Sequence, residues 1–158
     1  YLTRTFNQEH LTSKAIQTLI NGLVPPPRQQ RLLDLMIDNG KKLYILDKLL
    51  PYTPDSIKLE VTGEQVEWLN DNELEMWAFL IKEDLMYATD GRKIRKLVDY
   101  SPHSPGMPEE APGRTANWVG WQVVQAYMRR HPETTLQELI AIEDAQALLD
   151  ASRYKPAR

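Results

Sequence analysis

Residues 112–130, PGRTANWVGWQVVQAYMRR, predict a helix with a proline–glycine entrance that another helix crosses closely. A proline–glycine pair precedes the helix, and apolar residues then recur at helical spacing as far as Met128. Gly120 falls at the middle of the apolar face, where glycine costs roughly 1 kcal/mol relative to alanine. That cost is best explained by a second helix crossing close to Gly120. Gly40, at the middle of the apolar face of an earlier predicted helix, is the natural counterpart in this crossing.

The same helix carries two tryptophans in different positions. Trp121 borders the apolar face, and we predict that it belongs to the core. Trp118 points about 160° away from Gly120, on the side that polar residues occupy. Two interpretations of Trp118 remain open: the proline-rich residues 99–112 fold back over its ring, or the ring is exposed and binds a partner protein or peptide.

Helical periodicity interrupted by prolines predicts the remaining elements. The prolines at 25–27 and at 51 end the first two helices, and residues 52–61 form a connector with at most one short turn. The first predicted helix ends near Gly22, the second ends near Leu50, and the third runs from Thr62 to about Tyr87. A short helix over 94–98 follows, then the helix that ends near Arg130, and then a last helical segment that begins at Thr135. Two of these starts, Thr62 with Gln65 and Thr135 with Glu138, have the capping-box form.

The fold class is therefore mainly α, a single compact helical domain over residues 1–158 with a long proline-rich loop at 99–114. Loops of that length are usually functional or disordered. With 42% hydrophobic and 26% charged residues, the composition is that of an ordinary globular domain. Because the chain starts with Tyr1 rather than methionine, we expect it to be the C-terminal part of a longer protein.

Charge and cysteine content exclude several classes of function. The formal net charge is −3, with both signs mixed along the chain, so nucleic-acid binding is not expected. The chain has no cysteine, which rules out disulfides and thiolate metal sites. No apolar run approaches the roughly 18 residues of a membrane-spanning helix.

Two acids fall on apolar helix faces, where an unpaired carboxylate costs several kcal/mol. Asp47 lies on the apolar face of the second helix, and Glu73 lies one turn before Trp77 in the third. Either these acids are structural, hydrogen-bonded to loop amides or paired with Arg114 at the end of the proline-rich loop, or they line a polar cleft that is left from a catalytic ancestor or used by a ligand. We treat Asp47, Glu73 and Arg114 as a candidate cleft or buried polar network.

Catalytic motifs are incomplete in this sequence. The three histidines do not form an H-E-x-x-H pair, and there is no G-x-S-x-G elbow or phosphate-binding glycine loop. We therefore assign no catalytic residue and no metal ligand, and we expect no cofactor.

Three segments resemble one known family: GKKLYILDKLLP at 40–51, NELEMW at 72–77 and PGRTANWVGWQVVQAYM at 112–128, with the ending SRYKP. They are similar to the C-terminal half of the gliding-motility-associated lipoprotein B family of Bacteroidetes, over nearly the whole chain. The resemblance implies a periplasm-facing lipoprotein of the cell envelope, anchored through a lipidated cysteine outside this chain. It also implies envelope partners from the gliding motility and type IX secretion apparatus.

The family is distantly similar to predicted zinc peptidases, which implies a zincin-like helical subdomain. In such peptidases a glutamate–glycine pair supplies the third metal ligand, and this sequence has Asn39 and Gly40 at the corresponding place. The resemblance thus implies a metallopeptidase-like fold without its metal, working as a noncatalytic binding or scaffold component. The alternative is a peptidase-like zinc enzyme whose metal-binding helix lies upstream of this chain.

Overall fold

This computed structural model describes residue 5 and residues 7–157. Nine α-helices make up most of this part of the chain. In chain order they are α1 (Gln8–Leu23), α2 (Leu32–Leu49), α3 (Asp55–Leu59), α4 (Gly63–Asp71), α5 (Glu73–Lys82), α6 (Gly91–Val98), α7 (Thr115–Arg130), α8 (Leu136–Ala141) and α9 (Ala145–Ser152). The described residues include no β-strand. The predicted mainly α fold is thereby confirmed.

Side-chain caps begin several helices where the sequence predicts them. At α4 the Thr62 hydroxyl accepts from the backbone N–H of Gln65 at 3.1 Å, and the Gln65 side chain accepts from the Thr62 N–H at 3.0 Å. The same reciprocal pair joins Thr135 and Glu138 at α8. Each box satisfies two backbone donors that a helix start leaves without partners.

The prediction of one continuous third helix is wrong, because this segment forms two helices, α4 and α5. Asn72 separates α4 from α5, and its side-chain amide donates to the Trp68 carbonyl at 2.8 Å. An asparagine side chain bonded to the backbone in this way competes with continued helix formation. The second helix of the pair ends at Lys82 rather than near Tyr87, and Asp84 then adopts a left-handed conformation with φ of 52°.

Helices α2 and α7 cross at the centre of the domain with their backbones in contact. A Cβ atom added to Gly120 would lie 2.6 Å from the carbonyl carbon of Met36 and closer still to its oxygen. A Cβ atom added to Gly40 would lie 2.7 Å from the Trp121 backbone nitrogen. Only glycine at both positions allows this approach, so the two glycines meet as the sequence analysis expects.

Around this crossing lies the main hydrophobic core, and both tryptophans belong to it. Trp121 is 3% exposed, which confirms its predicted place in the core. Trp118 is also 3% exposed, so the interpretation of Trp118 as an exposed anchor is wrong. The physical reason is that α7 is central: every residue from Thr115 to Trp121 is buried, and the helix has no wet side at its N-terminal half.

The loop at 99–114 has no regular structure, as predicted, but it is firmly held. The Ser104 hydroxyl, 2% exposed, lies 2.7 Å from both the Pro112 carbonyl oxygen and the Thr115 hydroxyl. A Cβ atom added to Gly113 would lie 2.7 Å from the Ser101 carbonyl carbon, so the two ends of the loop touch through their backbones. This loop therefore forms a fixed wall next to the start of α7.

Candidate ligand-binding site

A pocket of about 490 Å³ lies beside the α2–α7 crossing, within the usual size range of small-molecule sites. Its walls come from α1, α2, α3, α4, the end of α6, the start of α7 and the ends of the 99–114 loop. The apolar lining consists of Ile20, Leu43, Leu46, Leu59, Val61, Leu69, Val98 and Trp118. The polar lining consists of Gln17, Asn21, Asn39, Lys42, Lys58, Asp99, Tyr100, Arg114 and Asn117.

A buried carboxylate, Glu60, contacts Tyr100 and Arg114, two residues of the pocket wall, without lining the pocket itself. It caps the C-terminal end of α3 in a left-handed conformation with φ of 57°, and its side chain is 1% exposed. The Lys14 ammonium and the Tyr100 hydroxyl both donate to it. Burial alone would raise the pKa of Glu60, but these two hydrogen bonds and the nearby positive charge of Arg114 lower it overall.

Tyr100 shows the complementary effect. Burial and its hydrogen bond to ionised Glu60 raise the pKa of Tyr100 to about 12. The phenol therefore stays protonated and the carboxylate stays ionised over the whole neutral range.

Arg114 does not pair with Asp47 or Glu73 as the sequence analysis expects. Its guanidinium donates to the Leu59 carbonyl, lies 3.8 Å from the Glu60 carboxylate and stacks 4.2 Å from the centre of the Tyr100 ring. As the N-cap residue of α7, Arg114 lies beside the end of α3, which explains why it contacts Leu59 and Glu60. The buried acid next to Arg114 is thus Glu60.

Asp47 and Glu73 lie in two other places. Asp47 accepts from Lys58, whose side chain is 2% exposed and which also donates to Asp55 at 3.0 Å. Burial lowers the pKa of Lys58, but the hydrogen bonds to the two aspartates outweigh that effect and raise it. Glu73 instead accepts from the Tyr154 hydroxyl at 2.6 Å. The three candidate residues therefore do not form one network.

Two asparagines connect the crossing helices at the pocket. The Asn39 side-chain amide on α2 donates to Asn117 Oδ1 on α7 at 2.9 Å, and Asn117 Nδ2 donates to the Val98 carbonyl at 2.8 Å. The side-chain amide of Asn39 is thus used in a bond between the two helices. Among the described residues no cluster of three or more His, Cys, Asp or Glu is placed to hold a metal, so this donor set does not fit a zinc ion.

Sequence reasoning missed Glu60, Tyr100, Lys14 and Lys58. A signal for Glu60 existed, because an acid between Leu59 and Val61 in an otherwise apolar run needs a partner. The identity of the partners had no local signal. Lys14 lies on α1 and Tyr100 lies in the long loop, respectively 46 and 40 residues away along the chain.

Comparison with known proteins assigns the chain to a family. A family model described as gliding motility protein GldB matches residues 1–156, nearly the whole chain. The chain belongs to the GldB family. It is accordingly a gliding-motility lipoprotein, as the resemblance implies. Neither a curated protein nor a solved structure was found to match it.

Within the described part of this GldB-family chain, no helix is long and apolar enough to cross a membrane.

We expect Arg114→Met to destabilise this GldB-family domain by about 2 kcal/mol, the usual cost of removing a hydrogen-bonded charge from a mostly buried site. The substitution leaves the Leu59 carbonyl without its donor and removes one positive charge near Glu60. Urea unfolding at neutral pH measures the effect. Arg92→Met is the matched control, since the Arg92 side chain is 95% exposed. Equal unfolding midpoints for the two variants would contradict a stabilising role for Arg114.

The lowered pKa of Glu60 predicts a loss of stability in acid. Ionised Glu60 stabilises the fold above its ordinary pKa of 4.5, and that stabilisation is lost as the pH falls through the lowered folded-state pKa. We therefore expect the free energy of unfolding to fall less steeply below pH 4.5 in Glu60→Gln than in the parent protein. Urea unfolding at a series of pH values tests this, and parallel pH profiles for the two proteins would refute it.

Proposed function

We propose that this chain is a noncatalytic binding component of the gliding motility and type IX secretion apparatus, in a lipoprotein that faces the periplasm. In this proposal the pocket beside the α2–α7 crossing holds part of an envelope protein of that apparatus. The membrane is reached through a lipid anchor outside this chain.

The observation that carries the proposal is the state of two hydrogen-bonded ionisable groups, Tyr100 in the pocket wall and Glu60 beside it. A general acid or base works best with a pKa near the operating pH. Here the pKa of Glu60 is lowered and that of Tyr100 is raised to about 12, so neither group exchanges protons near neutrality. Fixed charges and fixed hydrogen bonds suit recognition of a ligand better than proton transfer.

The Asn39–Asn117 bond supports the same function on a metallopeptidase-like framework. A carboxylate at position 39 would be a metal ligand in the peptidase pattern, whereas the amide here joins α2 to α7. We propose that the framework was kept and that its central position now fixes the shape of a binding pocket.

Complementation of a gliding strain that lacks its own copy tests this function. Asn21→Trp places an indole at the exposed α1 wall of the pocket, and we expect it to abolish gliding. Leu19→Trp is the matched control on the same helix, because Leu19 is 64% exposed and does not line the pocket. Tyr100→Phe removes the phenol hydroxyl, and we expect it to keep gliding.

Two results would contradict the proposal, provided that immunoblots show equal amounts of each variant. Normal gliding with Asn21→Trp would show that the pocket is not the binding site. Loss of gliding with Tyr100→Phe, at unchanged thermal stability, would show that the phenol takes part in chemistry.

A further inference from the structure

We propose that the pocket binds a short peptide segment of its partner, with one large apolar side chain inserted beside the α2–α7 crossing and the adjoining peptide groups held by side-chain amides. This inference rests on the proposed function and names the chemical class of the ligand.

The inner part of the pocket is apolar. Leu46, Leu59 and Leu69 are buried and line it, and Trp118 forms part of the same wall. An aliphatic or aromatic side chain placed there would remove apolar surface from water at both partners, at about 25 cal/mol per Å². A polar ligand without an apolar side chain would not remove the apolar surface of this wall from water.

Toward the outside, the wall changes to amides with free hydrogen-bonding capacity. Gln17 uses its Nε2 to reach Ser13 and the Lys58 carbonyl, which leaves its Oε1 open. Asn39 donates to Asn117 and keeps its own Oδ1 as an acceptor. The Asn21 side chain, exposed on α1, has no hydrogen-bond partner among the described residues. A peptide group needs one acceptor and one donor, and carboxamides supply both.

The charges in the wall argue against a free anion as the ligand. Lys58 is held by two aspartates, and Lys42 lies 2.7 Å from Asp38. Arg114 is occupied by the Leu59 carbonyl and Glu60. Each cation in the wall thus has an oxygen partner already, and an incoming phosphate or carboxylate would have to displace it. A neutral peptide needs no such displacement.

Three small probes separate the parts of this ligand. N-acetyl-leucine-N-methylamide has peptide groups and an apolar side chain, N-acetyl-glycine-N-methylamide has the peptide groups alone, and octanoate has an acyl chain without them. We expect the leucine probe to shift the side-chain amide NMR signals of Asn39 and Asn117, with half-saturation on the order of 1 mM. We expect the other two probes to bind the parent protein at least about tenfold more weakly than the leucine probe does. We also expect the leucine probe to bind Asn21→Trp at least about tenfold more weakly than it binds the parent protein.

Leu19→Trp should bind the leucine probe like the parent protein. Equal or tighter binding of octanoate would overturn the proposal in favour of an acyl-chain site, and equal binding of the glycine probe would show that no side chain is inserted. If Asn21→Trp abolishes gliding but the leucine probe does not bind, the proposed function stands and the peptide ligand is wrong. If the leucine probe binds but Asn21→Trp glides normally, the proposed function fails instead.

Discussion

Gly120→Ala should prevent this domain from reaching its native packing, although alanine is the best helix former. The added methyl carbon would lie 2.6 Å from the Met36 carbonyl carbon and closer to its oxygen, and both atoms belong to a helix backbone. A flexible side chain could move away, but here one whole helix would have to shift. We expect a loss of unfolding free energy on the order of 4 kcal/mol or more, the range reserved for severe core disruption. Gly120→Leu should be more severe still.

Gly22→Ala is the matched control for this substitution. Gly22 also lies in a helix, α1, but a methyl group there would meet no heavy atom within 4 Å. Since alanine is favoured over glycine in a helix by roughly 1 kcal/mol, this variant should be slightly more stable than the parent. Circular dichroism melts of both variants make the comparison. A cooperative, near-parental melt for Gly120→Ala would show that the two backbones are not in contact.

Trp118→Ala should cost about 3–5 kcal/mol of unfolding free energy, as buried large-to-small substitutions do. The indole is 3% exposed and packs in the main core, so its removal leaves a cavity next to the existing pocket. Had the ring been an exposed anchor, the same substitution would have left the melting temperature unchanged. Chemical unfolding at neutral pH distinguishes the two cases.

Tyr52→Ala provides the comparison for an aromatic side chain outside the core. Tyr52 is 98% exposed, so its truncation should leave stability unchanged within about 0.5 kcal/mol. A loss at Trp118 no larger than that at Tyr52 would mean that the indole is not a packed core residue.

Features set by neighbouring residues were predictable from the sequence. The capping boxes at Thr62 and Thr135 depend on a side chain three residues away, and the proline stops act on the next residues along the chain. The glycine crossing was predictable for a different reason. A glycine at the middle of an apolar helix face is costly unless another backbone lies there, and Gly40 and Gly120 both had that position.

Features set by distant parts of the chain were not predictable. A helical wheel assumes that one side of the helix faces solvent, but the N-terminal half of α7 is buried on all sides. The polar neighbours of Trp118 on the wheel therefore led to the wrong prediction that its ring is on the solvent side. The partner of Arg114 depended on where α3 ends in space, and no spacing along the sequence encodes that position. The pocket was missed for the same reason, since its walls combine residues from six helices and a long loop.

The contact between the Gly40 and Gly120 backbones also sets the spacing of the pocket walls on α2 and α7. Asn39 is adjacent to Gly40, and Asn117 is one turn before Gly120. The pocket walls on α2 and α7 therefore lie next to a contact that is made by backbone atoms, with no side chain between the two helices. Their spacing is therefore a property of the main chain. The lining residues Leu43, Val61 and Asn21 contribute side chains to the pocket and do not take part in the contact between the two glycines. A substitution of one of these residues would therefore change the lining of the cavity and leave its width at the crossing unchanged.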